Sequence, residues 1–120
     1  MFNEVIVDNF SNPSHQGEVD SAQANLKLGN PVCGDTVNIS LQFESADTVS
    51  EAKFQAWGCA TSLAMANVFC RYVEGRKLTE IKEVEADFIT SLLGELEPSQ
   101  HHCLEMLNEL FDQCRSLEVA

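Results

Sequence analysis

In two runs between Asp35 and Trp57, apolar residues recur at every second position. This alternation is typical of half-buried β-strands, whose side chains point to opposite faces in turn. Only the stretch SADT separates the runs, so the two strands are predicted to pair as an antiparallel hairpin. The apolar positions are Val37, Ile39, Leu41 and Phe43 in the first run, and Ala52, Phe54 and Ala56 in the second.

Segments on both sides of the hairpin have apolar residues at helical spacing. Phe2–Phe10 predicts a short amphipathic helix, and apolar residues three and four apart after Gly58 predict a longer helix that ends at Gly75. Thr79–Leu93 predicts one or two shorter helices. Ser14–Pro31 has few large apolar side chains and predicts a long loop with room for one short strand.

Pro98 predicts the start of a last helix, since proline is favoured in the first helical turn. The predicted core stripe of that helix is Leu104, Leu107, Leu110, Phe111 and Cys114. Together these elements predict a single α+β domain over residues 1–120. Its helices are expected to pack on one face of a small antiparallel sheet of about three strands.

Charge and composition narrow the functional classes. The chain has 19 acidic and 7 basic residues and a formal net charge of −12, which disfavours binding to the phosphates of nucleic acids. No run approaches the roughly 18 apolar residues that a membrane span requires. The opening MFNEVIVDNFSNPSHQG has no basic segment followed by an apolar one, so we expect no secretory signal and a cytoplasmic protein.

The five cysteines fall into two groups by position. Their odd number and the lack of any C-x-x-C motif favour reduced thiols over disulfides. Two lie inside predicted helices and are expected to be core residues: Cys70 and Cys114. The other three lie at element boundaries, where a helix N-terminus can lower the pKa of a thiol and favour its metal-binding form: Cys33, Cys59 and Cys103.

Three thiolates supply three ligands, and a tetrahedral site needs a fourth. His102 is adjacent to Cys103, and Asp35 is two residues from Cys33, so either side chain is a candidate. A sulfur-rich set suits Zn(II) or an iron-sulfur cluster better than magnesium or calcium. His101 is either a ligand or an exposed helix residue, and His15 is expected to be solvated.

Four motifs of this chain resemble those of the iron-sulfur cluster assembly scaffolds of the IscU type, also called NifU-like N-terminal domains. VIVDNFSNPSHQG is similar to the family's V-x-D-[HN]-[FY]-x-N-P-x-x-x-G, and PVCGD to its P-x-C-G-D. WGCATS matches its aromatic-G-C-[AG]-x-S, and His102-Cys103 its H-C pair at the start of the last helix. The resemblance covers nearly the whole chain.

The resemblance implies a scaffold without turnover of its own, which assembles a [2Fe-2S] cluster and passes it to apo-proteins. The implied ligands are Cys33, Cys59 and Cys103, completed by His102 or Asp35. Sulfur is expected to come from a cysteine desulfurase as a persulfide, with Cys103 as the acceptor. An oxygen ligand from Asp35 would keep the cluster labile, and zinc is expected at the same ligands in the apo form.

The chain departs from the family's pattern at a motif that a partner chaperone recognises. Family members that work with a dedicated Hsp70-type chaperone have L-P-P-V-K before the H-C pair, and this chain has LEPSQ, residues 96–100. Recognition by that chaperone is therefore not expected.

Two other functions compete with the scaffold. One is a zinc-binding regulator of a desulfurase, or a sulfur acceptor that transfers no cluster. The other is a thiol enzyme with His102 as the base for Cys103 or Cys59. Adjacent helical residues point about 100° apart, which argues against His102 deprotonating Cys103.

Overall fold

The computed structural model describes residues 3–30, 34–45 and 47–117, so Cys33 lies outside the described residues. One helix is followed by three consecutive strands and then by the other helices, and this separation of strands from helices confirms the α+β class. The helices are α1 (Glu4–Ser11), α2 (Ala60–Val73), α3 (Leu78–Lys82), α4 (Ala86–Leu93) and α5 (His101–Arg115), with a 3₁₀ turn at Pro98–Gln100 before α5. The strands are β1 (Ala24–Asn30), β2 (Asp35–Glu44) and β3 (Thr48–Trp57).

The three strands form one antiparallel sheet in the order β1-β2-β3. The predicted hairpin is β2–β3, and the short strand expected in the long loop is β1. In β2–β3 the pairing of Thr36 with Trp57 brings the beginning of one strand beside the end of the other. This register determines the position of the functional site.

Apolar side chains of one sheet face form the core with the helices, as predicted. α2 packs on β2 and β3, α5 packs on β1, and the two helices meet where Phe69 and Phe111 stack edge to face at 5.2 Å. The buried apolar residues of the sheet are Leu26, Leu28, Val37, Ile39, Leu41, Val49, Ala52 and Phe54. The two cysteines assigned to the core, Cys70 and Cys114, are fully buried and unpaired.

The core stripe of α5 differs from the prediction at its start. Leu104 is only half-buried, and Cys103 and Met106 are buried instead. Cys103, Leu107 and Leu110 lie four and three residues apart, so they share one helix face. Leu104 is about 100° further round the helix from Cys103, which turns its side chain partly away from the sheet.

His15 is not the solvated residue that its polar surroundings predicted. Its side chain is 17% exposed, and its Nε2 lies 3.2 Å from Oε1 of Glu74. The His15 amide donates to Asn67 Oδ1, and its carbonyl accepts from the amide of Phe54. The prediction was wrong because this loop pairs with the free edge of β3.

Across the ranges that the structure describes, no helix combines the length and the apolar character needed to cross a membrane.

Candidate metal and cluster site

Four predicted site residues meet at one end of the sheet. Asp35 is the first residue of β2, Cys59 caps the N-terminus of α2, and His102 and Cys103 lie in the first turn of α5. Their ligand atoms all lie within 4.8 Å of one another. The fifth predicted residue, Cys33, is outside the described residues, and its role stays a prediction.

Gly58 allows Asp35 and Cys59 to approach each other. Its φ of +147° is unfavourable for a residue with a side chain, and a Cβ there would overlap the Asp35 carboxylate. The space lets the Cys59 amide donate a hydrogen bond of 3.2 Å to Asp35 Oδ1. The glycine of the WGC motif is therefore required by close packing beside the site.

His102 presents Nε2 to the other three groups. Its Nδ1 lies 3.1 Å from the carbonyl oxygen of Ser99, which can only accept, so Nδ1 carries the proton in the neutral ring. Nε2 is then left with a lone pair, 3.2 Å from Asp35 Oδ2. Two acceptor atoms at this distance need a proton or a cation between them, which fits a metal site.

Nε2 also lies 3.3 Å from Cys103 Sγ and 3.7 Å from Cys59 Sγ. The argument that adjacency on a helix keeps His102 away from Cys103 was wrong. At the start of α5 the imidazole folds back over the neighbouring thiol.

A turn that the sequence interpretation missed holds His102 in this orientation. Glu97 and Gln100 form a reciprocal capping box around the 3₁₀ turn, and Gln100 is buried. The Gln100 side chain accepts from the Glu97 amide at 3.1 Å. The Glu-x-x-Gln spacing within LEPSQ was the available signal. This turn positions the Ser99 carbonyl that binds His102.

Ser62 was also missed, although it is the last residue of the WGCATS motif. Its hydroxyl lies 2.5 Å from Asp35 Oδ2 and 3.4 Å from the sulfurs of both Cys59 and Cys103. The spacing from Cys59, three residues in a helix, placed the two side chains on one face.

The surroundings of the site shift the pKa values of the Asp35 carboxyl and the Cys103 thiol in opposite directions. Burial alone would raise the pKa of Asp35, but hydrogen bonds from Ser62 and from the Cys59 amide and thiol, with the His102 imidazole beside them, hold that pKa below its usual value. The carboxylate is therefore ionised at neutral pH.

The prediction that a helix N-terminus lowers the pKa of the thiol is wrong for Cys103. Burial raises the pKa of Cys103 to about 12, with the Ser62 hydrogen bond opposing the effect and the neighbouring Cys59 and Asp35 adding to it. The Cys103 side chain is 0% exposed, whereas Cys59 is exposed. Burial likewise raises the pKa of Cys114 to about 12 and that of Cys70 well above its usual value, as expected for core thiols.

The donor set of two sulfurs, one imidazole and one carboxylate suits zinc or iron. His101 is exposed on α5 and is not a member of the group, which leaves it as a helix surface residue.

Comparisons with known proteins identify the family of this chain. The family model of the NifU-like N-terminal domain matches residues 1–114. The iron-sulfur cluster assembly scaffold protein IscU 1 of Archaeoglobus fulgidus is 29% identical over 103 residues, 86% of this chain and 67% of its own. The IscU scaffold protein of Escherichia coli is 27% identical over 105 residues, 85% of this chain and 81% of its own.

A solved structure has the same fold. The N-terminal part of a nitrogen-fixing NifU-like protein from Brucella abortus superposes with a TM-score of 0.62 at 19% identity, over 94% of this chain and 80% of that one. With the family model matching nearly every residue, the chain belongs to the NifU-like N-terminal domain family.

Proposed function

We propose that this protein is a scaffold on which a [2Fe-2S] cluster is assembled and from which it is passed to apo-proteins. One observation carries the proposal: two thiols, an imidazole and a carboxylate converge within 4.8 Å at one end of the sheet. Cys33 is expected to complete the ligand set. The cluster is cargo, so the protein needs no turnover of its own, and we expect it to act in the cytoplasm.

The arrangement of the four ligands suits a cluster that has to be transferred to another protein. Asp35 and Cys103 are buried, while His102 is 21% exposed and Cys59 is exposed, so the group combines buried ligands with ligands that a partner can reach. In a sulfur-rich site for an iron-sulfur cluster, a carboxylate oxygen is expected to bind less firmly than a thiolate would. Asp35 would therefore hold the cluster long enough for assembly and release it to a client.

Sulfur delivery to Cys103 requires an ionised sulfur. In the proposed step, a desulfurase supplies a persulfide, and His102 Nε2, 3.3 Å from Cys103 Sγ, takes the thiol proton. The Cys103 sulfur then attacks the outer persulfide sulfur and forms a new S–S bond. The desulfurase S–S bond breaks, and its cysteine leaves as a thiolate. Because Cys103 is buried, the desulfurase has to open the start of α5.

Anaerobic reconstitution tests the proposal. The protein is incubated with ferrous iron, cysteine and a cysteine desulfurase, and sulfur-to-iron charge-transfer absorbance is recorded. We expect absorbance in the wild type and in the Cys70→Ala control, and its loss in Cys33→Ser, Cys59→Ser and Cys103→Ser. A wild type that stays colourless, or losses equal in the control, would contradict the scaffold.

A zinc-binding regulator of the desulfurase is the second candidate. The four described donors, without Cys33, already supply the number and types of ligand that a tetrahedral zinc site needs. This function predicts one zinc per chain, altered desulfurase turnover, and no cluster transferred to an apo-ferredoxin. The Hsp70-type chaperone is not part of either proposal, because LEPSQ stands in place of L-P-P-V-K.

A further inference from the structure

Ser62 has an unusual set of contacts for a serine in the first turn of a helix. Such a serine commonly bonds to a backbone amide of its own helix. The contacts found for the Ser62 hydroxyl within the described ranges are instead with three side chains of the site: Asp35, Cys59 and Cys103. The residue is 0% exposed, so water does not compete for these contacts.

The hydroxyl has one proton and two lone pairs to distribute among these partners. The carboxylate is 2.5 Å away and the sulfurs are each 3.4 Å away, so the proton is donated to Asp35 Oδ2. A lone pair is left to accept from the Cys103 thiol, whereas the Cys59 thiol donates its proton to Asp35 Oδ2 at 3.4 Å. Ser62 therefore connects the acid of the site to Cys103 and also lies against Cys59.

This contact determines where the carboxylate points. Asp35 Oδ1 is held by the amide of Cys59, and Oδ2 by the Ser62 hydroxyl, so the two oxygens have separate anchors. With both in place, Oδ2 lies 3.2 Å from His102 Nε2. Without the hydroxyl, Oδ2 keeps the longer contact of 3.4 Å with the Cys59 thiol, and the carboxylate can rotate about its Oδ1 anchor.

We propose that Ser62 is a positioning residue of the site: its hydroxyl orients Asp35 toward His102 and the two sulfurs before a metal or cluster binds. This inference rests on the proposed function, since it concerns the same ligands. Partners that orient metal ligands typically contribute 10–100-fold to affinity. The size of the effect at Ser62 should fall within that order of magnitude.

Zinc affinity, measured by competition with a chromophoric chelator, tests the inference. Ser62→Ala should weaken zinc binding by about 10–100-fold. The matched control is Ser40→Ala, which removes another buried hydroxyl, one that accepts from the Val19 amide away from the site. Chemical denaturation of each apo-protein shows whether it is folded, and alanine in the first turn of α2 should be tolerated.

Two further readouts separate positioning from a structural role. In an Asp35→Ala background, Ser62→Ala should change zinc affinity by less than about 3-fold, because a positioning residue acts through its partner. In the cobalt-loaded protein, Ser62→Ala should keep the sulfur-to-cobalt charge-transfer band and shift the d–d bands toward those of Asp35→Ala.

The inference is overturned if Ser62→Ala binds zinc like the wild type, if Ser40→Ala is equally weakened, or if the Ser62 effect persists without Asp35. These results are independent of the scaffold function. Failure of the wild type to assemble a cluster would overturn the proposed function, whereas zinc affinities can be compared in either case.

Discussion

Replacing Gly58 by alanine should damage the site through a steric overlap that the structure makes explicit. The added Cβ would lie 2.6 Å from Cγ of Asp35 and still closer to its Oδ1. The carboxylate would have to rotate away from the Cys59 amide, which now donates to it at 3.2 Å. Because Asp35 is buried, it has little room for this movement.

Two contributions determine the magnitude. An alanine held at the φ of +147° costs on the order of 1–3 kcal/mol in backbone strain. Loss of a hydrogen bond to a charged carboxylate adds about 1.5–3 kcal/mol. Gly58→Ala is therefore expected to lower the free energy of unfolding of the apo-protein by roughly 2.5–6 kcal/mol, and to weaken zinc binding by about 10–100-fold.

Gly75 offers a matched control. Its φ is +86°, but a Cβ there would meet nothing within 4 Å, so Gly75→Ala introduces strain without an overlap. Urea denaturation of the reduced apo-proteins and chelator competition for zinc provide both measurements. We expect Gly58→Ala to be less stable than Gly75→Ala by about 1.5–3 kcal/mol, and only Gly58→Ala to lose affinity for zinc. Equal losses of stability with unchanged zinc affinity in both variants would refute this reasoning.

Three further predictions concern the apo-protein and its ligands. Iodoacetamide should modify Cys59 well before Cys103, since Cys103 is buried and its pKa is raised to about 12, and mass spectrometry can map the modified residues. Zinc should protect both thiols. Equal rates of modification in the apo-protein would contradict the geometry. Because the pKa of Cys103 is raised in the folded state, this thiol contributes stability below its unfolded pKa near 9, and the contribution is lost as the pH rises toward 12. Urea denaturation across this range should therefore show a shallower decline in the free energy of unfolding for Cys103→Ala than for the wild type. Gln100→Ala removes the capping box beside His102, and we expect it to lower the free energy of unfolding by about 1 kcal/mol and to weaken zinc binding. Unchanged zinc affinity would mean that the turn does not orient His102.

Most of the fold could be predicted from the sequence because apolar residues recur at regular spacings along its strands and helices. Alternation identified the β2–β3 hairpin, and β1 was expected only as a short strand because few of its residues are large and apolar. The start of α5 was less predictable. A 3₁₀ turn precedes it, and the face it buries begins at Cys103, a residue that had been considered for its chemistry and not for its packing.

For the candidate site, the sequence supplied residue types but little of their geometry. Asp35, Cys59, His102 and Cys103 were predicted as candidates, and they do come together. The pKa of Cys103 could not be predicted, because burial depends on tertiary packing and here outweighs any effect of the helix N-terminus. The role of Ser62 likewise depends on three partners that are remote from one another in the chain.

Cluster transfer tests the central claim most directly. The anaerobically reconstituted protein is separated from free iron and sulfide and mixed with an apo-ferredoxin, and the ferredoxin spectrum is followed over time. The account predicts that the [2Fe-2S] absorbance moves to the ferredoxin while this protein returns to its apo form. A preparation that binds one zinc per chain and gives no cluster to the ferredoxin would contradict it.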